Sequence, residues 1–150
     1  MRMEERRLTQ LKDENSIFYL LQEFAPFLKT LQQGEDYQRE MSKKFSKYAE
    51  LFVLSINKKN AGFIAFYAND TKKSIAFLSM IAVLDSYQRL GLGQALLDVA
   101  LEKSKKRGMQ KLQLQVRKDN IKALAFYQKN NFNVFSETED YYYMAKELTE

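Results

Sequence analysis

Phe77-Leu78-Ser79-Met80-Ile81-Ala82-Val83-Leu84-Asp85-Ser86-Tyr87-Gln88-Arg89-Leu90-Gly91-Leu92-Gly93-Gln94 changes character twice in eighteen residues. It begins inside an apolar run of strand type that extends from Ser74 to Val83. It passes through a polar loop, and from Gly91 the period becomes helical, with Leu92, Leu96, Leu97, Val99, Ala100 and Leu101 on one face. Gly91 and Gly93, two residues apart, allow a tight turn and a close approach of the backbone to a ligand. The exposed N–H groups at the start of the helix carry partial positive charge, so the loop suits an anion such as a pyrophosphate. Arg89 adds charge at its rim. The same loop also reads as a tight strand-to-helix turn without a ligand. It is neither a Walker A loop, lacking Gly-Lys-Ser/Thr, nor a dinucleotide fingerprint, since Leu96 stands where the third Gly is required.

Upstream, Leu51 to Ile56 and Gly62 to Ala68 are strands separated by the polar turns Asn57–Asn60 and Asn69–Lys73. With Ser74 to Val83 they make an antiparallel meander. Arg7 to Leu11 reads as a first strand. Asn15-Ser16 reads as the cap of a helix bearing Ile17, Leu20, Leu21 and Phe24, which Pro26 ends or kinks. After Gly34 a second helix carries Tyr37, Met41, Phe45 and Tyr48.

Downstream, the long helix closes with Lys103, Lys105, Lys106 and Arg107, cations at the negative end of its dipole, and Gly108 caps it. Leu112 to Val116 is a strand reached through that helix, so it lies parallel to the strand before it. Asp119 or Asn120 caps a helix from Ile121 to Lys129, which Asn131 ends in a left-handed turn. Phe132–Ser136 and Tyr141–Leu148 form a closing hairpin. The expected fold is one α/β domain over residues 1–150. Its mixed sheet has an antiparallel N-terminal half, a central parallel strand pair around a long helix, and a C-terminal hairpin.

Composition narrows the chemistry. The chain has no Cys and no His, which removes disulfides, a Ser-His-Asp triad, a Cys-His pair and His- or Cys-ligated zinc. No metal site is expected. No apolar run reaches the roughly 18 residues of a membrane span. Met1-Arg2-Met3-Glu4-Glu5-Arg6-Arg7 has no apolar run behind it and does not read as a secretory signal. A cytoplasmic location is the expectation. The net charge of +5 attracts anions, whether a cofactor, a lipid surface or a nucleic acid.

Gln88-x-x-Gly91-x-Gly93 resembles the Q/R-x-x-G-x-G/A motif of the GNAT superfamily, in the strand–loop–helix setting that family uses. Val116-Arg117-Lys118-Asp119-Asn120-Ile121-Lys122-Ala123-Leu124-Ala125-Phe126-Tyr127-Gln128-Lys129-Asn130-Asn131-Phe132 is similar to its second signature, V-x-x-x-N-x-x-A-x-x-x-Y-x-x-x-G-F, with Asn131 in place of Gly. The resemblance spans nearly the whole chain and implies a GNAT-type N-acetyltransferase with acetyl-CoA as co-substrate. It implies that backbone groups of Ile81, Ala82 and Val83 bind the pantetheine arm like an added strand. It implies that the amides of Gln88, Arg89, Leu90, Gly91, Leu92, Gly93 and Gln94 bind the pyrophosphate, and that Asn120 contacts the cofactor. Lys122 and Lys129 are candidates for its adenosine phosphate end. Tyr127 matches the family tyrosine near the thioester sulfur, the general acid for the leaving thiolate.

The acceptor implied is a primary amine that attacks the thioester directly: a small-molecule amine, an amino sugar or a peptide amine. Where many N-terminal-amine acetyltransferases carry a Glu on the fifth strand, this chain has Gln115, which accepts no proton. Asp85, Glu137, Glu139 and Asp140 are the acids near the expected mouth. Phe18, Phe24, Phe27, Tyr37, Phe45, Tyr48 and Tyr141–Tyr143 supply aromatic surface for an acceptor or for the core. Two other readings stand beside the enzyme: a CoA-binding sensor module without turnover, and a transferase acting on an RNA-linked amine. The expected partners are acetyl-CoA and the amine, with no membrane and no nucleic acid, in a monomer or homodimer.

Overall fold

Strand-forming residues dominate the middle of the chain, and in the computed structural model, which describes residues 4–148, they build a mixed sheet. Seven strands lie in the order β1-β2-β3-β4-β5-β7-β6. They are β1 (Arg6–Leu11), β2 (Glu50–Ile56), β3 (Lys59–Tyr67), β4 (Ile75–Val83), β5 (Lys111–Arg117), β6 (Asn133–Glu137) and β7 (Tyr141–Glu147). The helices are α1 (Glu14–Phe24), α2 (Glu35–Tyr48), α3 (Leu92–Lys106) and α4 (Ile121–Lys129). The expected order of elements is present, with one parallel pair, β4 with β5. Met1–Met3, part of the N-terminal segment read above, lie outside the described residues. The chain separates into two compact units. One holds the residues up to Phe66 with Met80–Ala100, and the other holds Tyr67–Ser79 with the residues from Leu101 on.

In the first unit, β1, β2 and β3 form an antiparallel meander with registers Arg6↔Ile56 and Glu50↔Phe66 at their ends. Asn57 (φ 51) and Lys58 (φ 70) are both left-handed, the conformation of a two-residue hairpin turn whose twist matches the strands it joins. That turn is tighter than the four residues expected, so β3 starts at Lys59 instead of Gly62. Asn57 also pins the start of β1: its Oδ1 accepts from the Glu5 amide at 2.9 Å, and its own N–H donates to the Glu5 carbonyl at 2.8 Å.

The cap of α1 is Asp13, two residues before the expected Asn15-Ser16: its carboxylate accepts from the Ser16 amide at 2.9 Å and the Ser16 hydroxyl at 3.0 Å. Those bonds hold the Asp13 carboxyl below its usual pKa. The helix ends at Phe24, and Pro26 sits in a 3-10 turn, Ala25–Phe27, as its fixed φ allows. Ile17, Leu20, Leu21 and Phe24 are all buried. Phe24 meets Phe63 of β3 edge-to-face at 5.0 Å. On α2 only Phe45 of the four expected apolar positions is fully buried; Met41 and Tyr37 are half-buried and Tyr48 is exposed.

Gly62 of β3 is required by contact, not by φ. A Cβ there would meet the Ala82 carbonyl oxygen at 2.8 Å, Leu96 Cδ1 at 3.1 Å and Val83 Cγ2 at 3.3 Å. The carbonyl belongs to the backbone of β4 and cannot rotate away. Gly62→Ala is therefore expected to destabilise the fold by about 1–3 kcal/mol, the usual range for overpacking, read as a lower urea midpoint with unchanged slope.

In the second unit, β5 pairs in full with β7, from Lys111↔Glu147 to Arg117↔Tyr141, and β6 covers the other side of β7. The parallel register of β4 with β5 has only three pairs, Ile75↔Lys111, Ala76↔Leu112 and Phe77↔Gln113. Leu112, Leu114 and Val116 alternate inward on β5, and with Met109, Tyr127, Phe132, Met144 and Leu148 they are buried. Left-handed Asn131 (φ 68) ends α4, and the Phe132 amide reaches back to the Tyr127 carbonyl at 3.0 Å.

Candidate functional site

The first unit holds the loop between β4 and α3. Ile81, Ala82 and Val83 at the end of β4 are half-buried. The strand is fixed from one side, where the Leu84 amide donates to the Ala61 carbonyl at 2.9 Å. A single 3-10 turn, Asp85–Tyr87, follows, closed by Tyr87 N–H to Leu84 O at 2.9 Å and Gln88 N–H to Asp85 O at 3.2 Å. The Gln88 side chain folds back on this turn and donates to Val83 O at 3.4 Å and Asp85 Oδ1 at 3.2 Å.

Arg89 (φ 74) and Gly91 (φ 75) are both left-handed, with Leu90 between them. Left-handed residues alternating with ordinary ones curl the chain so that successive amides converge on one side. Ala95 N–H to Gly91 O, at 3.1 Å, is the first closure of α3. Among the described residues the amides of Arg89, Leu90, Gly91, Leu92 and Gly93 have no backbone acceptor. Leu92 is buried and anchors the helix start, whereas Arg89 and Leu90 are exposed. The result is a row of N–H donors at the positive end of a fifteen-residue helix, a chemical fit for the phosphates of CoA. Gln94 turns its side-chain amide to Asp98 Oδ1 at 2.9 Å.

The second unit holds Asn120 and Tyr127. Asn120 is the cap of α4: its Oδ1 accepts from the Ala123 amide at 3.1 Å. Its oxygen therefore orders the helix start, and its side-chain NH2 is the group left to donate. Tyr127 is buried at 7% exposure, with its ring 5.4 Å from that of Phe126 and 5.6 Å from that of Phe132. Burial pushes the pKa of its hydroxyl up to about 12. It is a proton donor across the physiological range. Lys122 and Lys129 are exposed on α4.

The acids are accounted for on the surface. Glu137 is exposed and pairs with Lys118 Nζ at 2.6 Å, which raises the lysine's pKa. Asp85 accepts from Gln88, and Glu139 and Asp140 are exposed. Gln115 is exposed on β5, paired in register with Tyr143. Tyr141 and Tyr142 point to opposite faces, as strand alternation requires, and carry Arg117 at 5.5 Å and Lys118 at 5.0 Å over their rings. Of the acceptor aromatics expected, Phe18, Phe24 and Phe45 belong to the core, while Phe27 and Tyr48 are exposed.

A cleft that the sequence does not signal opens in the first unit beside α1. It holds about 320 Å³ and is lined by Thr9, Leu11, Tyr19, Glu23, Val53 and Asn60 among others, with Asn60 donating to Glu23 at 2.9 Å. It contains none of the residues named from the motifs. Among the described residues no helix is long and apolar enough to cross a membrane.

The chain belongs to the acetyltransferase (GNAT) family, a family of acyltransferases, whose model matches residues 15–132. It is 40% identical over 91 residues to the [ribosomal protein bS18]-alanine N-acetyltransferase of Escherichia coli K12, an alignment covering 61% of this chain and 60% of that protein. The chain thus spans about 60% of the length of the curated relatives it matches first. Its fold is similar to the crystal structure of the ribosomal-protein-S18-alanine N-acetyltransferase from Escherichia coli, with a TM-score of 0.76 and 26% identity over 97% of this chain and 96% of that one. It also shares its fold with PaiA N-acetyltransferase from Thermoplasma acidophilum, solved in complex with coenzyme A: TM-score 0.71, 19% identity, 94% of this chain and 99% of that one.

Proposed function

We propose that this protein is a single-domain N-acetyltransferase that moves the acetyl group of acetyl-CoA to a primary amine by direct attack in a ternary complex. The observation that carries the reading is the row of acceptor-free amides from Arg89 to Gly93 at the start of α3, in a chain that belongs to the GNAT family. The amides of Arg89 to Gly93, followed by Gln94, bind the pyrophosphate; that of Gln88, expected in the same row, is instead closed on the Asp85 carbonyl at 3.2 Å. The backbone of Ile81, Ala82 and Val83 takes the pantetheine arm as an added strand; the parallel register ends at Phe77, so beyond it that side of β4 is without its β5 ladder. Asn120 contributes its side-chain NH2.

The chemistry is acyl transfer without a covalent enzyme intermediate. The amine lone pair attacks the thioester carbonyl, and a backbone N–H near Ile81 or Ala82 stabilises the oxyanion. The C–S bond then breaks, and Tyr127 protonates the departing thiolate. The amine loses its proton to water or arrives neutral, since Gln115 offers no base. The similarity to enzymes named [ribosomal protein bS18]-alanine N-acetyltransferase supports a peptide amine among the acceptors; the Gln at position 115 argues for testing others equally. It also favours the second reading, a CoA-binding module without turnover.

One assay separates the two. Thiol release from acetyl-CoA is followed with peptide N-termini, amino sugars and polyamines. Amine-dependent release supports the enzyme. Tight CoA binding with no release for any amine supports the sensor.

A further inference from the structure

Arg6 reaches out of β1 to the loop between β4 and α3. Its Nη2 donates to the Leu90 carbonyl oxygen at 3.4 Å, while its Nε pairs with the carboxylate of Glu4. Leu90 lies between the two left-handed residues, Arg89 and Gly91, so the carbonyl being held is at the centre of the loop's curl. A trans peptide is planar, and its C=O and N–H point in opposite directions. Drawing the Leu90 oxygen toward Arg6 therefore turns the Gly91 N–H to the far side.

We propose that Arg6 is a positioning residue for the anion cradle: by holding the Leu90 carbonyl, it fixes the Gly91 amide in the donor row that receives the pyrophosphate. Glu4 orients the guanidinium for the task. A left-handed backbone is unfavourable for a non-glycine residue such as Arg89. A loop of that kind relaxes to other conformers unless it is braced from outside, and Arg6 is the brace. The proposal rests on the reading of the loop as the CoA phosphate site.

The test compares the wild type with Arg6→Ala and Arg6→Lys. Three quantities are measured: CoA affinity by calorimetry at two salt concentrations, steady-state KM and kcat for acetyl-CoA, and the Gly91 amide resonance of the free protein. Arg6→Ala is expected to weaken CoA about tenfold and raise KM equally, with kcat unchanged and the salt dependence of binding kept. The Gly91 resonance shifts and broadens. Arg6→Lys, which still offers a donor, recovers most of the affinity. Affinity within twofold of wild type in Arg6→Ala, or a shallower salt dependence that marks Arg6 as a direct charge on the phosphates, overturns the proposal while leaving the site intact. Failure of the wild type itself to bind CoA overturns the site reading, and the proposal with it.

Discussion

Gly91→Glu is expected to weaken CoA binding at least about 100-fold, which is about 3 kcal/mol, while the protein stays folded. Two effects add. At φ 75 any side chain is strained, so the backbone leaves the left-handed region and the Leu90–Gly91 peptide turns with it. The new carboxylate also stands in the donor row and repels the pyrophosphate. The fold is spared because a Cβ at Gly91 meets nothing within 4 Å. Gly91→Ala isolates the conformational part and is expected to lose about tenfold, near 1.4 kcal/mol. Calorimetric titration with CoA, beside a melting curve for each variant, checks both. Wild-type affinity in a folded Gly91→Glu protein means that the phosphates bind elsewhere.

Tyr127→Phe is expected to lower kcat about 100-fold, the low end for loss of a general acid, with CoA affinity unchanged. Stability changes little, because the ring that meets Phe126 and Phe132 stays in place. The pH dependence follows from the direction of the shift. Burial raises the folded-state pKa from 10 to about 12, so the native protein holds this proton more tightly than the unfolded chain does. The stability this contributes is fully present below pH 10 and is lost as pH rises through about 12. Urea titrations at pH 8 and pH 11 should show an alkaline loss in the wild type that Tyr127→Phe reduces. The rate profile should show no fall below about pH 10 from loss of the donor. An unchanged kcat in Tyr127→Phe assigns the thiolate's proton to another source.

The elements were legible where hydrophobic period and punctuation agree. The run Phe77 to Gln94 shows its strand, its loop and its helix start because apolar residues cluster, then vanish, then recur on one helical face. Where local signals compete, the sequence misleads by a few residues. Asp13 and Asn15 are both good caps, and the choice depends on which carboxylate or amide reaches the free N–H groups. The Asn57-Lys58 turn looked longer because Lys59 and Asn60 are polar, yet they are strand residues whose backbones pair with β2. Gly62 gave no sign of its role, since the carbonyl of Ala82 that excludes a side chain lies twenty positions away. The candidate site was legible in its backbone part, through Gly91, Gly93 and the helix behind them. The bond from Arg6 to Leu90 was not, because a contact across 84 positions leaves no periodic trace.

Among the described residues, five other than glycine hold left-handed backbones: Asn57, Lys58, Ser74, Arg89 and Asn131. Asn tolerates that geometry well, but Lys, Ser and Arg do not. The chain thus sits below the stability its own topology allows, as natural proteins under mutation–selection balance commonly do. Lys58 and Ser74 are structural turns, so their strain is open to removal by directed evolution without touching the chemistry. Arg89 is different in kind. In the proposed function its strain shapes the surface offered to the phosphates, and a lineage that relaxed it would trade cofactor binding for robustness.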